Sequence, residues 1–353
     1  MKTHLLLFIS IPFISGIFLC SLLPDSYAID CIFALLSLFL FLASRNGRPL
    51  SVTALFLSIG IFCGLTARLN FIPSHTSPFI AGTSTALKTA VKSIPFESDD
   101  TTSLLLALLC GDKSLLSTSI RANFTKSGAA HILALSGLHL GLIATLLSRL
   151  LSPLGNNPVA KYARCAITIS LCAIYTLACG AGASLVRAFI FICLGSIGKL
   201  LPHRKIPAVN LLLFAGLLQL CIRPDFAHEL SFQLSYLACA GIILVFPQIR
   251  DWHPTRQGLS FGIWKSLSLS ISCQLFTAPL IWHTFGTLPK YFLLTNLLAL
   301  PICGFLIPAS VLTITASALG ANPKALVKIC EFSASLLTDT LKTIASIDRK
   351  SVV

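Results

Sequence analysis

A chain of 353 residues with 11% charged side chains and a mean hydropathy of +0.86 carries too little polar surface for an ordinary soluble domain. Lys and Arg outnumber Asp and Glu by 26 to 12, a formal +14, and much of that excess is the bias expected of cytoplasmic loops in a polytopic membrane protein. The 13 cysteines form no C-x-x-C pair and sit singly in apolar runs, which suits packing residues and argues against a metal site.

Taken in order, the runs 5–23, 27–43 and 49–67 each approach the ~20 residues a helix needs to cross a bilayer core and predict three closely spaced spans. The first lacks a small-residue cleavage site and reads as a retained anchor. Lys2, Asp25, Asp30, Arg45 and Arg48 orient these spans with the N-terminus in the cytoplasm and the chain after Arg68 outside. The Ser-, Thr- and Pro-rich stretch 70–100 reads as a short external loop. From 101 to 127 an amphipathic segment is expected along the outer surface or dipping into it. It opens on the apolar run 104–109, which the loop Gly111-Asp112-Lys113 breaks, and Asp112 is placed to cap the following helix or to shape an outer mouth.

Residues 128–151 then predict an inward crossing, with Arg149, Lys161 and Arg164 on the cytoplasmic side. Spans near 165–181 and 184–201 form a hairpin with 180–183 at its tip, and His203-Arg204-Lys205 marks the return to the cytoplasm. Spans near 206–222, 230–249 and 262–283 follow. The apolar run 291–319, interrupted by Pro301, Gly304 and Pro308, reads as one kinked span or two halves. The stretch 323–348 places Leu326, Ile329, Leu336, Leu337, Leu341 and Ile344 on one side, the pattern of an interfacial amphipathic helix. The fold class is thus an all-α polytopic integral membrane protein of about ten transmembrane helices plus amphipathic interfacial helices. Its parts are a three-helix anchor (1–69), the loop 70–100, a main membrane domain (101–320) and a C-terminal helix and tail (321–353).

Chemistry concentrates in 128–151, where His131, Ser136 and His139 interrupt a membrane-length apolar segment. Ionisable groups at such depth cost a few kcal/mol each and usually face a bundle interior or a water-filled cavity. On one helix the two histidines, eight apart, would lie about 80° from each other. Gly137 and Gly141 permit close packing or a local opening. Arg187, after a turn of small residues, reads either as a snorkelling arginine or as a phosphate ligand. Gln233 and Ser235 point to different sides of one helix, one to a path and one to a neighbour. Asn296 suits an interhelical hydrogen bond, and Pro301 a hinge. Neither a second zincin histidine after His228-Glu229 nor a P-loop is present, so no catalytic residue, metal or cofactor is expected.

The segments LLLALLCGDKS and SGAAHILALSGLHLGLI resemble the signature of the ComEC competence family, polytopic inner-membrane proteins of natural transformation. GASLVRAF at 182–189, PDFAHELSFQLSYLACAGI at 224–242 and TAPLIWHTFGTLPKYFLLTNLLALP at 277–301 extend the resemblance in order. It implies a short form lacking the family's OB-like and metallo-β-lactamase-like domains. It further implies a non-enzymatic channel in the bacterial cytoplasmic membrane that passes single-stranded DNA. Implied partners are that DNA, membrane lipid, a DNA receptor, a separate nuclease and a cytoplasmic motor. Arg187 would then contact phosphate, while His131, Ser136, His139, Gln233 and Ser235 would line the path. Two rivals remain: a secondary transporter of a small anionic solute, and an intramembrane serine hydrolase built on Ser136.

Overall fold

The computed structural model describes residues 4–22, 27–43, 49–68, 78–155, 157–198, 200, 207–254 and 257–350, and the elements in them are helical. In chain order they are α1 (His4–Ser21), α2 (Tyr27–Ala43), α3 (Pro49–Arg68), α4 (Pro78–Lys92), α5 (Asp99–Leu105), a π turn (Leu106–Cys110), α6 (Thr118–Lys126), α7 (Ala130–Leu133) and α8 (Gly137–Leu150). A 3₁₀ turn (Ser152–Leu154), α9 (Pro158–Ala178), α10 (Ala183–Gly198), α11 (Ala208–Ile222), a second 3₁₀ turn (Pro224–His228) and α12 (Leu230–Leu244) follow. Last come α13 (Phe246–Arg250), α14 (Leu259–Phe285), α15 (Phe292–Ala318) and α16 (Lys324–Lys350). Lys2, Asp25, Arg45, Arg48, Ser77 and His203-Arg204-Lys205, on which the expected orientation leans, lie outside the described residues.

The chain divides into two compact units, residues 1–75 with 203–240 and residues 76–202 with 241–353. In the first, α1 and α3 pack so closely that a Cβ on Gly60 would run into the Phe13 carbonyl oxygen, and one on Gly16 into that of Leu57. Small residues at such a crossing let two backbones touch, the packing that serves helices where no hydrophobic effect drives them together. Cys20, Ile61 and Leu65 seal the contact, with Phe33, Leu40 and Leu57 around them.

The second unit is built on the run 104–109. A stretch apolar on every side must be covered on every side, and Leu104, Leu105, Leu106, Ala107, Leu108 and Leu109 are each at most 1% exposed. Ile120 and Phe124 of α6, Ile143 of α8, Cys303, Leu306 and Ile307 of α15, and Leu337 and Leu341 of α16 close around it. Of the two readings for 101–127, lying along a surface or dipping into it, the apolar part 104–109 follows the second: it is the centre of the core.

Two further expectations change, and of the two alternatives for 291–319 the single helix is the one observed. Within the 70–100 stretch, residues 78–92 are helix: Pro78 starts α4 and Val91 near its end is fully buried in the same core, so tertiary packing outweighs Ser/Thr composition. The run 291–319 is one continuous helix through Pro301 and Pro308. The hydroxyls of Ser310 and Thr313 bond carbonyls one turn back, at Leu306 and Ala309. On α16 the packed face is Cys330, Ala334, Leu337, Leu341 and Ile344, whereas Ile329, Phe332 and Leu336 are exposed. Instead of only lying on a surface, this helix closes the core against α15, α6 and α5.

Candidate functional site: a broken helix ringed by polar side chains

The site begins where the buried run ends. The π turn stops at Gly111, whose φ of +72° is the left-handed conformation that glycine adopts without cost. Tyr175 Oη (2.8 Å) and Cys179 Sγ (3.3 Å) both donate to the Leu109 carbonyl, fixing the end of the turn to α9 and its C-cap. Asp112 then turns outward. One carboxylate oxygen accepts the Ser114 backbone N–H (3.0 Å) and hydroxyl (2.6 Å), and the other lies 2.7 Å from Lys88 Nζ of α4. Lys88 and Ser114 hold the Asp112 carboxyl well below the usual carboxylate range, and Asp112 in turn raises the Lys88 ammonium. The Lys113 carbonyl accepts Arg121 Nη2 at 2.8 Å. Asp112 does not cap the following helix as expected. Ser117 does, accepting the Ile120 N–H, because three residues separate that hydroxyl from the amide while Asp112 is spent on Ser114 and Lys88.

Residues 128–151, expected as one crossing, are broken. Gly128 has φ +84° and packs on Pro289, and Thr295 Oγ1 of α15 donates to the Ser127 carbonyl at 2.6 Å. After the single turn α7, Ala134 and Ser136 are extended, and α8 starts afresh at Gly137. His131 and His139 therefore do not share one helix, and the 80° relation fails.

His139 is fully buried. Its Nδ1 accepts the Ser136 backbone N–H at 3.2 Å and lies 3.0 Å from the Ser136 hydroxyl, so it serves the first turn of α8 much as a capping-box acceptor does. A neutral ring that accepts at Nδ1 carries its proton on Nε2, as the bonding pattern assigns it. That Nε2 finds no hydrogen-bond partner among the described residues. His131 is the reverse case: its Nδ1 lies 3.0 Å from the Gly128 carbonyl, and the ring is exposed.

Arg187 of α10 is 8% exposed and directed inward, so the snorkelling reading is corrected. A Cβ on Gly137 would come within 2.9 Å of Arg187 Nη2 and 3.1 Å of Ala188 Cβ, which places the guanidinium beside the start of α8. Leu140, Cys172, Leu185 and Ala188 lock α8, α9 and α10 together beneath it. Gly141, by contrast, has only open space where a Cβ would stand.

His131, Ser136, His139, Arg187 and the loop 111–113 thus belong to one unit. Gln233 and Ser235 belong to the other, where Gln233 Nε2 donates to the Ala227 carbonyl (2.8 Å) and ties α12 to the preceding turn. Asn296 Nδ2 donates to Ser270 Oγ of α14 at 3.3 Å, and Pro301 sits inside continuous α15. No cluster of three metal-ligating side chains occurs among the described residues. Lys88, Tyr175, Thr295 and Pro289 brace the site and were not singled out from sequence. Only Thr295, beside Asn296 in an apolar run, carried a visible signal.

These features define a class: a helical bundle with, among the described residues, two helices, Gly137–Leu154 and Phe292–Ala318, long and apolar enough to cross a membrane, and a polar break ahead of the first. Residues 108–353 match the family model described as Competence protein, and the chain belongs to that family. It is 25% identical over 227 residues to ComE operon protein 3 of Bacillus subtilis (strain 168), covering 63% of this chain and 27% of that protein. It is 29% identical over 200 residues to an uncharacterized protein of Aquifex aeolicus (strain VF5), covering 55% of this chain and 43% of that one. The chain thus spans about a quarter of the length of the first relative and a little under half of the second. No solved structure matches.

Proposed function

We propose that this chain is a membrane channel for DNA uptake in natural transformation, passing single-stranded DNA across the bacterial cytoplasmic membrane without catalysing a reaction or using a cofactor. Family membership supports the role in competence. The observation that carries the site is the break before Gly137, where a buried Arg187 and the Nε2 of His139 flank a helix start inside an apolar segment. A polar break at membrane depth is tolerated where it is enclosed by protein or lines a water-filled cavity. About ten spans, a cytoplasmic N-terminus and an external 70–100 segment complete this reading. A DNA receptor, a nuclease for the second strand and a cytoplasmic motor are its partners.

Labelled DNA uptake and transformation frequency, compared with and without this gene, test the proposal. Loss of uptake restored by the gene supports it, and unchanged uptake overturns it in favour of a small-anion transporter. The 3.0 Å Ser136–His139 contact is the one observation that favours a serine hydrolase. Against it, Nδ1 already accepts a backbone N–H, and no carboxylate among the described residues orients the ring. A fluorophosphonate probe that fails to label Ser136 excludes that chemistry.

A further inference from the structure

Between α14 and α15 lies an open groove of about 550 Å³, lined by Ile271, Gln274, Ala278, Trp282, Leu288 and Phe292 among others. That volume falls within the roughly 300–1,000 Å³ typical of small-ligand sites. The walls are hydrocarbon apart from the Gln274 amide and the Trp282 indole N–H. At one end the groove opens onto the turn that joins the two helices, where Lys290 and Tyr291 stand between the lining residues Leu288 and Phe292. Trp282 is 59% exposed there. Trp, Tyr and Lys gather at the boundary between hydrocarbon and headgroups, and α15, which begins at Phe292, is itself of membrane-crossing length. No Asp or Glu occurs between Asp251 and Glu331, so no acid on these two helices or their turn opposes an anion beside Lys290.

The same turn braces the broken helix. Pro289 and Phe292 stand against Gly128, and Thr295, three residues further along, holds the Ser127 carbonyl. The groove and the break therefore share a wall.

We propose that the groove holds one acyl chain of an anionic phospholipid, with its phosphate at Lys290, and that the filled groove seats Pro289 and Phe292 against Gly128. The source of the ligand is the surrounding bilayer.

The test uses the full chain in nanodiscs, with Trp252→Phe and Trp264→Phe leaving Trp282 as the sole indole. Phosphatidylglycerol or phosphatidylcholine with brominated acyl chains is added at the same low mole fraction, and Trp282 quenching is read. The expected result is a preference for phosphatidylglycerol of about fivefold in apparent affinity, matching the ~1 kcal/mol that one basic residue gains near anionic headgroups. Lys290→Gln should abolish the preference, and Ala278→Phe, which fills the groove, should reduce quenching by both lipids. Equal quenching by the two lipids in the Lys290 protein would show only the ordinary lipid boundary and overturn the proposal. Protection from both would show that protein, such as a second copy of the chain, covers the groove, and would overturn it equally. The readout needs no DNA, so its failure leaves the proposed function standing, and a chain that fails to take up DNA leaves this result standing.

Discussion

Replacing Gly128 by alanine probes the brace at the break most directly. At φ +84° an L side chain costs about 1–2 kcal/mol in backbone strain. The new methyl would also stand 2.7 Å from Pro289 Cβ, and such overpacking typically costs about 1–3 kcal/mol more. Together Gly128→Ala should destabilise the unit by about 2–5 kcal/mol. Gly141→Ala is the matched control: mid-helix, with nothing within 4 Å of the added carbon, it should gain about 0.5–1 kcal/mol. The assay is the thermal midpoint of the purified chain, followed by the fraction remaining monodisperse after heating, with DNA uptake measured per folded molecule. Adding Pro289→Gly to Gly128→Ala should return the overpacking part and leave the backbone part, as a double-mutant cycle would separate them. Equal midpoints for Gly128→Ala and the parent, or an equally large loss in Gly141→Ala, would refute this account.

Four other outcomes are expected. His139→Gln keeps an acceptor near the Ser136 N–H and should retain more uptake per folded molecule than His139→Leu; normal uptake at normal abundance in the leucine variant removes His139 from the path. Arg187→Gln should reduce uptake with insertion intact, and Arg187→Lys should restore it only in part because the planar fork is lost; a fully active glutamine variant leaves Arg187 a packing role. Lys88→Ala should cost less than ~1 kcal/mol at neutral pH, since the pair is partly exposed to solvent. Asp112 titrates below its usual range, so the pair's contribution is present above about pH 4 and fades as pH falls; Lys88 titrates above its usual range, so the contribution also fades once pH rises beyond about 10.4. A Lys88→Ala difference that persists unchanged in acid contradicts that linkage. Finally, Ser77→Cys should react from outside intact cells with an impermeant thiol reagent beyond the native-cysteine background, and labelling only after lysis would reverse the orientation.

The hairpin of α9 and α10 was legible because two apolar runs flank a tip of small residues, and Gly180 with Ala181 takes left-handed backbone there. The loop 111–113 was legible for the same reason, since glycine and charge interrupt leucines. The break at 134–136 was not. Ala134 and Leu135 continue an apolar pattern, and the break combines tertiary contacts, Pro289 against Gly128 and Thr295 on Ser127, with a local cap, the His139 ring on the Ser136 amide, that an apolar pattern does not reveal. Helix α4 was hidden by its serines and threonines, which mark loops on average but yield to a buried Val91 and a Lys88 held by Asp112. Pro301 and Pro308 left one helix or two halves open, and the chain takes the single helix. A proline inside an apolar helix is tolerated where neighbouring helices and hydroxyls meet the freed backbone groups.

The π turn at Leu106–Cys110 has a consequence for how this chain tolerates insertions and deletions. Such a turn holds one residue more than an α turn, so it stores an offset in register without altering composition. Removing one of its five residues would let the segment relax to α geometry with everything beyond in nearly the same orientation, whereas one more residue ahead of Leu109, in α geometry, would turn everything beyond by about 100°. After such an insertion Asp112 would face away from Lys88, and Leu109 would withdraw its carbonyl from Tyr175 and Cys179. Length, more than the polarity of its side chains, aims the loop 111–113. A single-codon insertion here should therefore be worse than a single-codon deletion within the same five positions.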